Sequence, residues 1–218
     1  MDFFDLLNTL TALNGMQRIA VTAIPMIFAI TVHEAAHGYV ARHFGDMTAA
    51  RSGRITLNPL KHIDPIGTVL IPSLTMFFGG IFFGWAKPVP VDFTRLRHPK
   101  ADMLWVAAAG PAANLVMLIL WALVIKFFGA NVPFVALMGA AGILTNTVLM
   151  VLNLIPLPPL DGGRIAVSLL PTNLAVKFAQ IERYGFIILI VLLMTHILDK
   201  IMWPFVMATL ATIAKLFF

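Results

Sequence analysis

The chain contains two histidines four residues apart with a glutamate between them, in the segment His33-Glu34-Ala35-Ala36-His37. Residues four apart lie on one face of a helix, so His33 and His37 can bind one metal ion together. Glu34 would then lie beside that ion, where its carboxylate can act on a bound water. This spacing predicts a zinc site that performs hydrolysis.

The surroundings of this segment are apolar. It lies in an apolar run from about residue 19 to residue 40, where ionisable groups are costly and therefore indicate a function. Of the 218 residues, 60% are hydrophobic and 11% are charged, whereas soluble domains are about half apolar and about a quarter charged. The composition predicts a membrane protein. Lys and Arg beside the spans explain the net charge of +5, so no nucleic-acid partner is expected.

The apolar stretches predict an all-α polytopic membrane protein with about five to six transmembrane or re-entrant helices. They cover residues 17–40, 66–85, 103–128, 133–155, 184–198 and 201–218. The second stretch is interrupted by Pro72 and by Gly79-Gly80, and we expect it to be re-entrant rather than a complete span. The last two are short and predict a helical hairpin.

The distribution of charge predicts an orientation. Eleven of the fifteen Lys and Arg residues fall in segments 41–64, 87–100 and 164–183, which the positive-inside rule places in the cytoplasm. His37 and His33 precede Arg42 by five and nine residues. At 1.5 Å per residue they lie roughly 7 to 14 Å from this basic boundary. The metal is therefore expected inside the hydrocarbon, nearer the cytoplasmic face.

A catalytic zinc needs a third protein ligand and an open position for water. Most other acidic residues lie at the terminus, in basic connectors or beside later spans. Asp161 differs because it follows a helix end broken by prolines, where irregular backbone can enter the membrane if protein surrounds it. Asp161 is the best candidate for the third ligand, although the same position would suit a helix N-cap.

Three segments resemble the site-2 proteases, the peptidase M50 family of intramembrane zinc metalloproteases. They are His33 to His37, Gly110-Pro111-Ala112-Ala113-Asn114, and Asn153-Leu154-Ile155-Pro156 continuing through Leu160-Asp161-Gly162-Gly163. The resemblance covers about residues 19–165. It implies one Zn²⁺ per chain bound by His33, His37 and Asp161, with Glu34 as the catalytic glutamate. It also implies a small membrane-embedded β element from Gly79 to Val91 that binds extended substrate.

The implied activity is hydrolysis of peptide bonds in or near transmembrane segments, as in regulated intramembrane proteolysis. The partners would be transmembrane protein substrates in the lipid bilayer, and we expect the bacterial cell (inner) membrane. A helical substrate must unwind locally before cleavage. Asn114 and Asn153 could then hydrogen-bond its exposed backbone or the oxyanion. Alternatively, either amide could join helices.

We expect one membrane-embedded metalloprotease domain over residues 1–218, with a catalytic core at about 17–165 and C-terminal helices at 184–218. This length leaves no room for a PDZ or CBS domain. Two other functions stay open from sequence alone: a divalent-metal membrane transporter and an inactive membrane-binding homologue. A transporter needs polar groups along a path to both faces, whereas the ionisable residues here gather at one depth. The intact Glu34 argues against an inactive homologue.

Overall fold

A computed structural model of the chain describes residues 2–70 and 86–218. The regular structure in these residues is helical, which confirms the predicted all-α class. The α-helices are α1 (Phe3–Ala12), α2 (Gly15–His43), α3 (Thr48–Arg51), α4 (Pro99–Val124), α5 (Pro133–Leu154), α6 (Asp161–Leu169), α7 (Thr172–Ala179), α8 (Glu182–Met194) and α9 (Ile197–Phe217). Short 3-10 or π turns occupy Pro59–Lys61, Pro65–Leu70, Phe93–Arg95 and Ile125–Gly129.

Four helices of the described part are long and apolar enough to cross a membrane. They are α2, α4 with the π turn that continues it, α5 and α9, and they confirm a polytopic membrane protein. Helix α8 has 13 residues, fewer than the roughly 20 that a span needs, and it packs against α9 as the predicted hairpin requires.

Two predicted elements lie wholly or partly outside the described residues. Residues 71–85, which make up most of the expected re-entrant stretch, lie outside the described residues. The same holds for the first part of the predicted β element. Its described remainder, residues 86–91, has no regular secondary structure.

Local sequence explains where the helices that matter for the site begin and end. Asn14 caps α2 and forms a reciprocal capping box with Gln17. Pro99 is the first residue of α4, where a missing N–H costs nothing. Helix α5 ends at Leu154, because the prolines that follow cannot continue its hydrogen bonds. The chain then turns, and Asp161 becomes the first residue of α6.

Helices α2, α4 and α5 pack against one another, and α6 packs against α4. The main apolar cluster joins α1, α4, α5, α8 and α9, with Leu118, Ile143 and Leu210 almost completely buried.

Candidate metal centre

The three predicted metal ligands come together between α2 and α6. The Nε2 atoms of His33 and His37, one turn apart on α2, are separated by 3.1 Å. Asp161 Oδ2 lies 3.3 Å from each of these nitrogens. Within the part of the chain that the structure describes, these side chains form a group that could hold a metal ion.

The dimensions of this group fit zinc. A tetrahedral zinc ion with bonds of about 2.0–2.1 Å separates its ligand atoms by roughly 3.3 Å. The observed separations of 3.1, 3.3 and 3.3 Å match that value. Within residues 2–70 and 86–218, Asp161 Oδ2 is also buried without a hydrogen-bond partner, which is costly for a carboxylate oxygen unless a cation binds it. The residues present therefore fit a zinc ion.

The second nitrogen of each imidazole has its own partner. His37 Nδ1 lies 2.7 Å from the Val106 carbonyl oxygen, and His33 Nδ1 lies 2.6 Å from Asn114 Oδ1. Oxygen atoms of these two kinds only accept hydrogen bonds, so both Nδ1 atoms carry the hydrogen. Each Nε2 then keeps its lone pair, as a metal ligand must.

Gly110 on α4 faces both imidazole rings. A Cβ atom at this position would lie 2.5 Å from His33 Nε2 and would also collide with His37 Nε2. From the sequence, Gly110 was part of a family motif and a candidate for close helix approach, but its contact with the imidazoles was not predicted. The available signal was a glycine in a helix interior, where it costs about 1 kcal/mol relative to alanine.

Asn114 joins α4 to two neighbouring helices by hydrogen bonds. It is completely buried, accepts a hydrogen bond from His33 on α2 and donates one to Asn146 on α5. The packing of α4 on α2 turns this face of α4 toward the imidazoles. Its predicted role in binding substrate or the oxyanion stays a prediction.

The sequence favoured a packing contact for Asn146 on α5, and the structure places it in the same hydrogen-bonded chain. Asn114 Nδ2 donates to Asn146 Oδ1 over 2.9 Å, and Asn146 Nδ2 donates to the Gly142 carbonyl oxygen over 2.8 Å. Both asparagines are completely buried. An amide in the middle of an apolar span was the sequence signal that could have identified it.

The cavity beside the metal centre has a volume of about 200 Å³. It is lined by His33, Glu34, His37, Pro88, Val89, Val91, Phe93, Val106, Ala107, Asn153, Pro159, Asp161 and Arg164. Asn153 therefore lies where a bound peptide could reach it, and its Nδ2 donates to the Leu149 carbonyl oxygen over 3.0 Å. Its predicted role in substrate binding stays a prediction. We call residues 86–92, which form one side of the cavity, the wall segment.

Glu34 contacts the wall segment directly. Its Oε2 accepts a hydrogen bond of 2.7 Å from the Val89 amide. Its Oε1 has no hydrogen-bond partner among the described residues. The carboxylate is thus fixed through one oxygen while the other stays available beside the predicted ligands.

The connector that follows α2 holds the wall segment in place. Arg54 Nη2 donates to the Lys87 and Pro88 carbonyl oxygens over 2.8 and 3.2 Å. At the other end of the segment, the Asp92 amide donates to Asp46 Oδ2 over 2.7 Å, and Asp46 is completely buried. These contacts fix the backbone on both sides of the Val89 amide.

Asp92 ends the wall segment and begins the turn Phe93–Arg95. The Thr94 hydroxyl and amide donate to its carboxylate, and Arg95 pairs with it at 2.8 Å. These contacts lower the pKa of Asp92, with the Thr94 hydroxyl as the largest cause. The ionised carboxylate stabilises the turn that places Phe93 at the cavity.

A zinc-sized triangle of ligands within a bundle of membrane-spanning helices defines the class of this protein. It is a membrane-embedded zinc metalloenzyme, and several proteins of similar sequence are named as zinc metalloproteases.

The chain is 40% identical over 202 residues to "Putative zinc metalloprotease YwhC" of Bacillus subtilis, and this alignment covers 89% of each of the two chains. It is 35% identical over 178 residues to "Putative zinc metalloprotease Rip2" of Mycolicibacterium smegmatis, covering 80% of this chain and 66% of the relative. "Zinc metalloprotease MJ0392" of Methanocaldococcus jannaschii is 27% identical over 161 residues, 74% of this chain and 38% of the relative. No family model and no solved structure matches the chain significantly. The chain belongs to the site-2 protease family of intramembrane zinc metalloproteases, which confirms the resemblance.

Proposed function

We propose that this protein is a zinc metalloendopeptidase of the peptidase M50 type that cleaves transmembrane protein substrates in or near their membrane-spanning segments. The observation that carries the proposal is the spacing of His33 Nε2, His37 Nε2 and Asp161 Oδ2 at 3.1 to 3.3 Å. These atoms lie beside Glu34 in a bundle with several candidate membrane spans. Regulated intramembrane proteolysis is the process that such cleavage would serve.

In this proposal His33, His37 and Asp161 hold the zinc ion. When bound, zinc supplies a Lewis acid that polarises a carbonyl oxygen and lowers the pKa of water. Asn114 and the Val106 carbonyl oxygen orient the two imidazoles through their Nδ1 atoms. Because these partners fix the rings before metal binds, little reorganisation is needed at the centre.

Glu34 is the general base and then the general acid. The Val89 amide fixes Oε2, so Oε1 is the oxygen that accepts a proton from water. Glu34 later returns this proton to the amine of the leaving peptide. Asn153, in the lining of the cavity, is the candidate to bind the exposed substrate backbone or the oxyanion.

We further propose that the chain forms one metalloprotease domain over residues 1–218, with its catalytic core at about 17–165 and C-terminal helices at 184–218. The continuous apolar cluster between early and late helices supports this assignment. The protein would lie in a bacterial inner membrane with the metal centre nearer the cytoplasm.

Contacts between the basic segments support the proposed orientation. The Arg97 amide donates to the Phe44 carbonyl oxygen over 2.9 Å, which joins the connector after α2 to the approach to α4. Lys100 Nζ donates to the Leu170 carbonyl oxygen over 2.6 Å, which joins α4 to the end of α6. The three basic segments therefore share one end of the bundle, as the positive-inside rule requires.

The test uses the full chain purified in detergent and reconstituted with a synthetic transmembrane substrate. Wild type is expected to bind one zinc per chain and to cleave the substrate. Glu34→Gln should keep the zinc and lose cleavage, because the amide cannot accept the proton. Asp199→Asn, which removes an exposed carboxylate on α9, is the matched control and should cleave like wild type.

Zinc content tests the ligand assignment separately. Asp161→Ala should lower zinc occupancy, whereas unchanged stoichiometry would place the third ligand elsewhere. Cleavage by Glu34→Gln at the wild-type rate would refute the proposed protease mechanism. Metal flux through liposomes that survives Glu34→Gln would favour the transporter instead.

A further inference from the structure

We propose that Asn146 is a positioning residue that orients the Asn114 amide and thereby keeps His33 in the tautomer that binds metal. This inference rests on the proposed function, because it assigns a purpose to a hydrogen-bonded chain behind a predicted zinc ligand. The chain runs from α5 through α4 to α2 and is completely buried at both asparagines. It ends at His33 Nδ1, on the side of the ring opposite the metal-binding nitrogen.

The direction of this chain is set at its α5 end. The Gly142 carbonyl oxygen can only accept, so Asn146 must turn its Nδ2 toward it, over 2.8 Å. Asn146 Oδ1 then faces Asn114 and accepts from its Nδ2 over 2.9 Å. Asn114 Oδ1 is left to face His33, where it accepts the Nδ1 hydrogen over 2.6 Å. The Gly142 carbonyl thus sets the orientation of Asn146, and Asn146 in turn provides the shorter of the two contacts that orient Asn114.

The orientation of Asn114 matters because an amide has a donor end and an acceptor end of nearly equal shape. If Asn114 turned its Nδ2 toward His33, Nδ1 would have to accept and the ring hydrogen would move to Nε2. A protonated Nε2 cannot bind zinc. Without Asn146, the remaining described acceptor for Asn114 Nδ2 is the Ala29 carbonyl oxygen at 3.4 Å, a weaker contact.

The neighbouring residue Thr147 provides a contrast. It is also completely buried on α5, but its Oγ1 has no hydrogen-bond partner in the described part of the chain. Thr147→Val therefore removes a buried polar atom at the same depth without touching the chain that leads to His33. It is the matched control for a purely structural effect on α5.

The test compares Asn146→Leu and Asn146→Asp in the full chain purified in detergent. Leucine keeps the branched shape of the side chain but is larger and offers no acceptor to Asn114, whereas a protonated aspartic acid can donate to Gly142 and still accept from Asn114. Loss of a partner behind a metal ligand typically lowers metal affinity 10–100-fold. Because Asn146 acts one bond further away, we expect Asn146→Leu to weaken zinc binding by about 10-fold and Asn146→Asp to restore it within about 3-fold.

Two readouts are required besides cleavage. Zinc affinity is measured by competition with a chelator, and nitrogen-15 NMR of labelled histidine reports the His33 tautomer in the metal-free protein. Asn146→Leu should populate the form with hydrogen on Nε2, while Asn146→Asp and Thr147→Val keep it on Nδ1. If leucine prevents folding, Asn146→Val replaces it, because valine is closer to asparagine in volume and likewise offers no acceptor to Asn114. The same loss of affinity is then expected.

The inference is overturned if Asn146→Leu keeps wild-type zinc affinity and the wild-type tautomer. It is also overturned if Asn146→Asp loses as much affinity as Asn146→Leu, since packing rather than amide orientation would then decide. Either result leaves the proposed protease intact, provided that wild type binds zinc and Glu34→Gln abolishes cleavage. Failure of wild type to bind zinc would refute the proposed function itself.

Discussion

Gly110→Ala adds one methyl group at the point where α4 approaches the metal centre. That methyl carbon would lie 2.5 Å from His33 Nε2, whereas nonbonded heavy atoms prefer about 3.5–4.0 Å. An imidazole would therefore have to move by about 1 Å. Both rings are held from behind, His33 by Asn114 and His37 by the Val106 carbonyl oxygen, so they cannot move away without losing those bonds.

The expected loss of zinc affinity follows from how little a zinc–ligand distance can vary. Zinc–ligand distances are acceptable within about 0.2 Å, so a displacement of about 1 Å removes at least one ligand. We expect zinc affinity to fall at least about 100-fold, or about 2.8 kcal/mol. Alanine is favoured over glycine in a helix by about 1 kcal/mol, so the metal-free variant should still be helical and folded.

The assay is chelator competition for zinc affinity together with thermal unfolding of the metal-free protein followed by circular dichroism. Gly15→Ala at the start of α2 is the matched control, because its Cβ atom meets nothing within 4 Å. The control should bind zinc like wild type. Wild-type zinc affinity in folded Gly110→Ala would show that no metal binds between these two rings.

Two further predictions test the residues around the ligands and the wall segment. Asn114→Leu leaves His33 Nδ1 without its acceptor and should weaken zinc binding by about 10–100-fold in a chelator competition; unchanged affinity would contradict its orienting role. Arg54→Leu removes both hydrogen bonds to the wall segment. Hydrogen exchange of the Val89 amide should therefore become about 10-fold faster, while zinc content stays at the wild-type level. Exposed Arg51→Leu should leave that exchange unchanged, and equal exchange in both variants would show that Arg54 does not hold the segment.

The features that could be predicted from sequence are those that depend on neighbouring residues. Four predicted spans correspond to long apolar helices, because hydropathy over about 20 residues is a property of composition. The shared face of His33 and His37 follows from the helical repeat alone. Asp161 was reached differently, through the scarcity of other carboxylates and the family resemblance.

Prediction from neighbouring residues did not give the contacts of Gly110, Asn114 and Asn146. Each was visible as a residue of unusual type in an apolar helix, but its partner depends on which faces of α4 and α5 meet α2. From the sequence, Asn114 could bind substrate or join helices, and Asn146 was interpreted as a packing contact; the hydrogen bonds that link both residues to His33 depend on tertiary packing. Helix periodicity gives the residues that share a face, and packing decides what that face contacts.

The amino-acid sequence by itself determined that this is a helical membrane protein with a histidine pair and a glutamate at membrane depth. Only the tertiary structure brought Asp161 Oδ2 within 3.3 Å of both imidazoles, Asn114 behind His33, and the Val89 amide onto Glu34. The physical reason is the range of the interactions. Helices form from local hydrogen bonds and hydropathy, whereas a metal centre requires atoms from distant segments to be placed within tenths of an ångström.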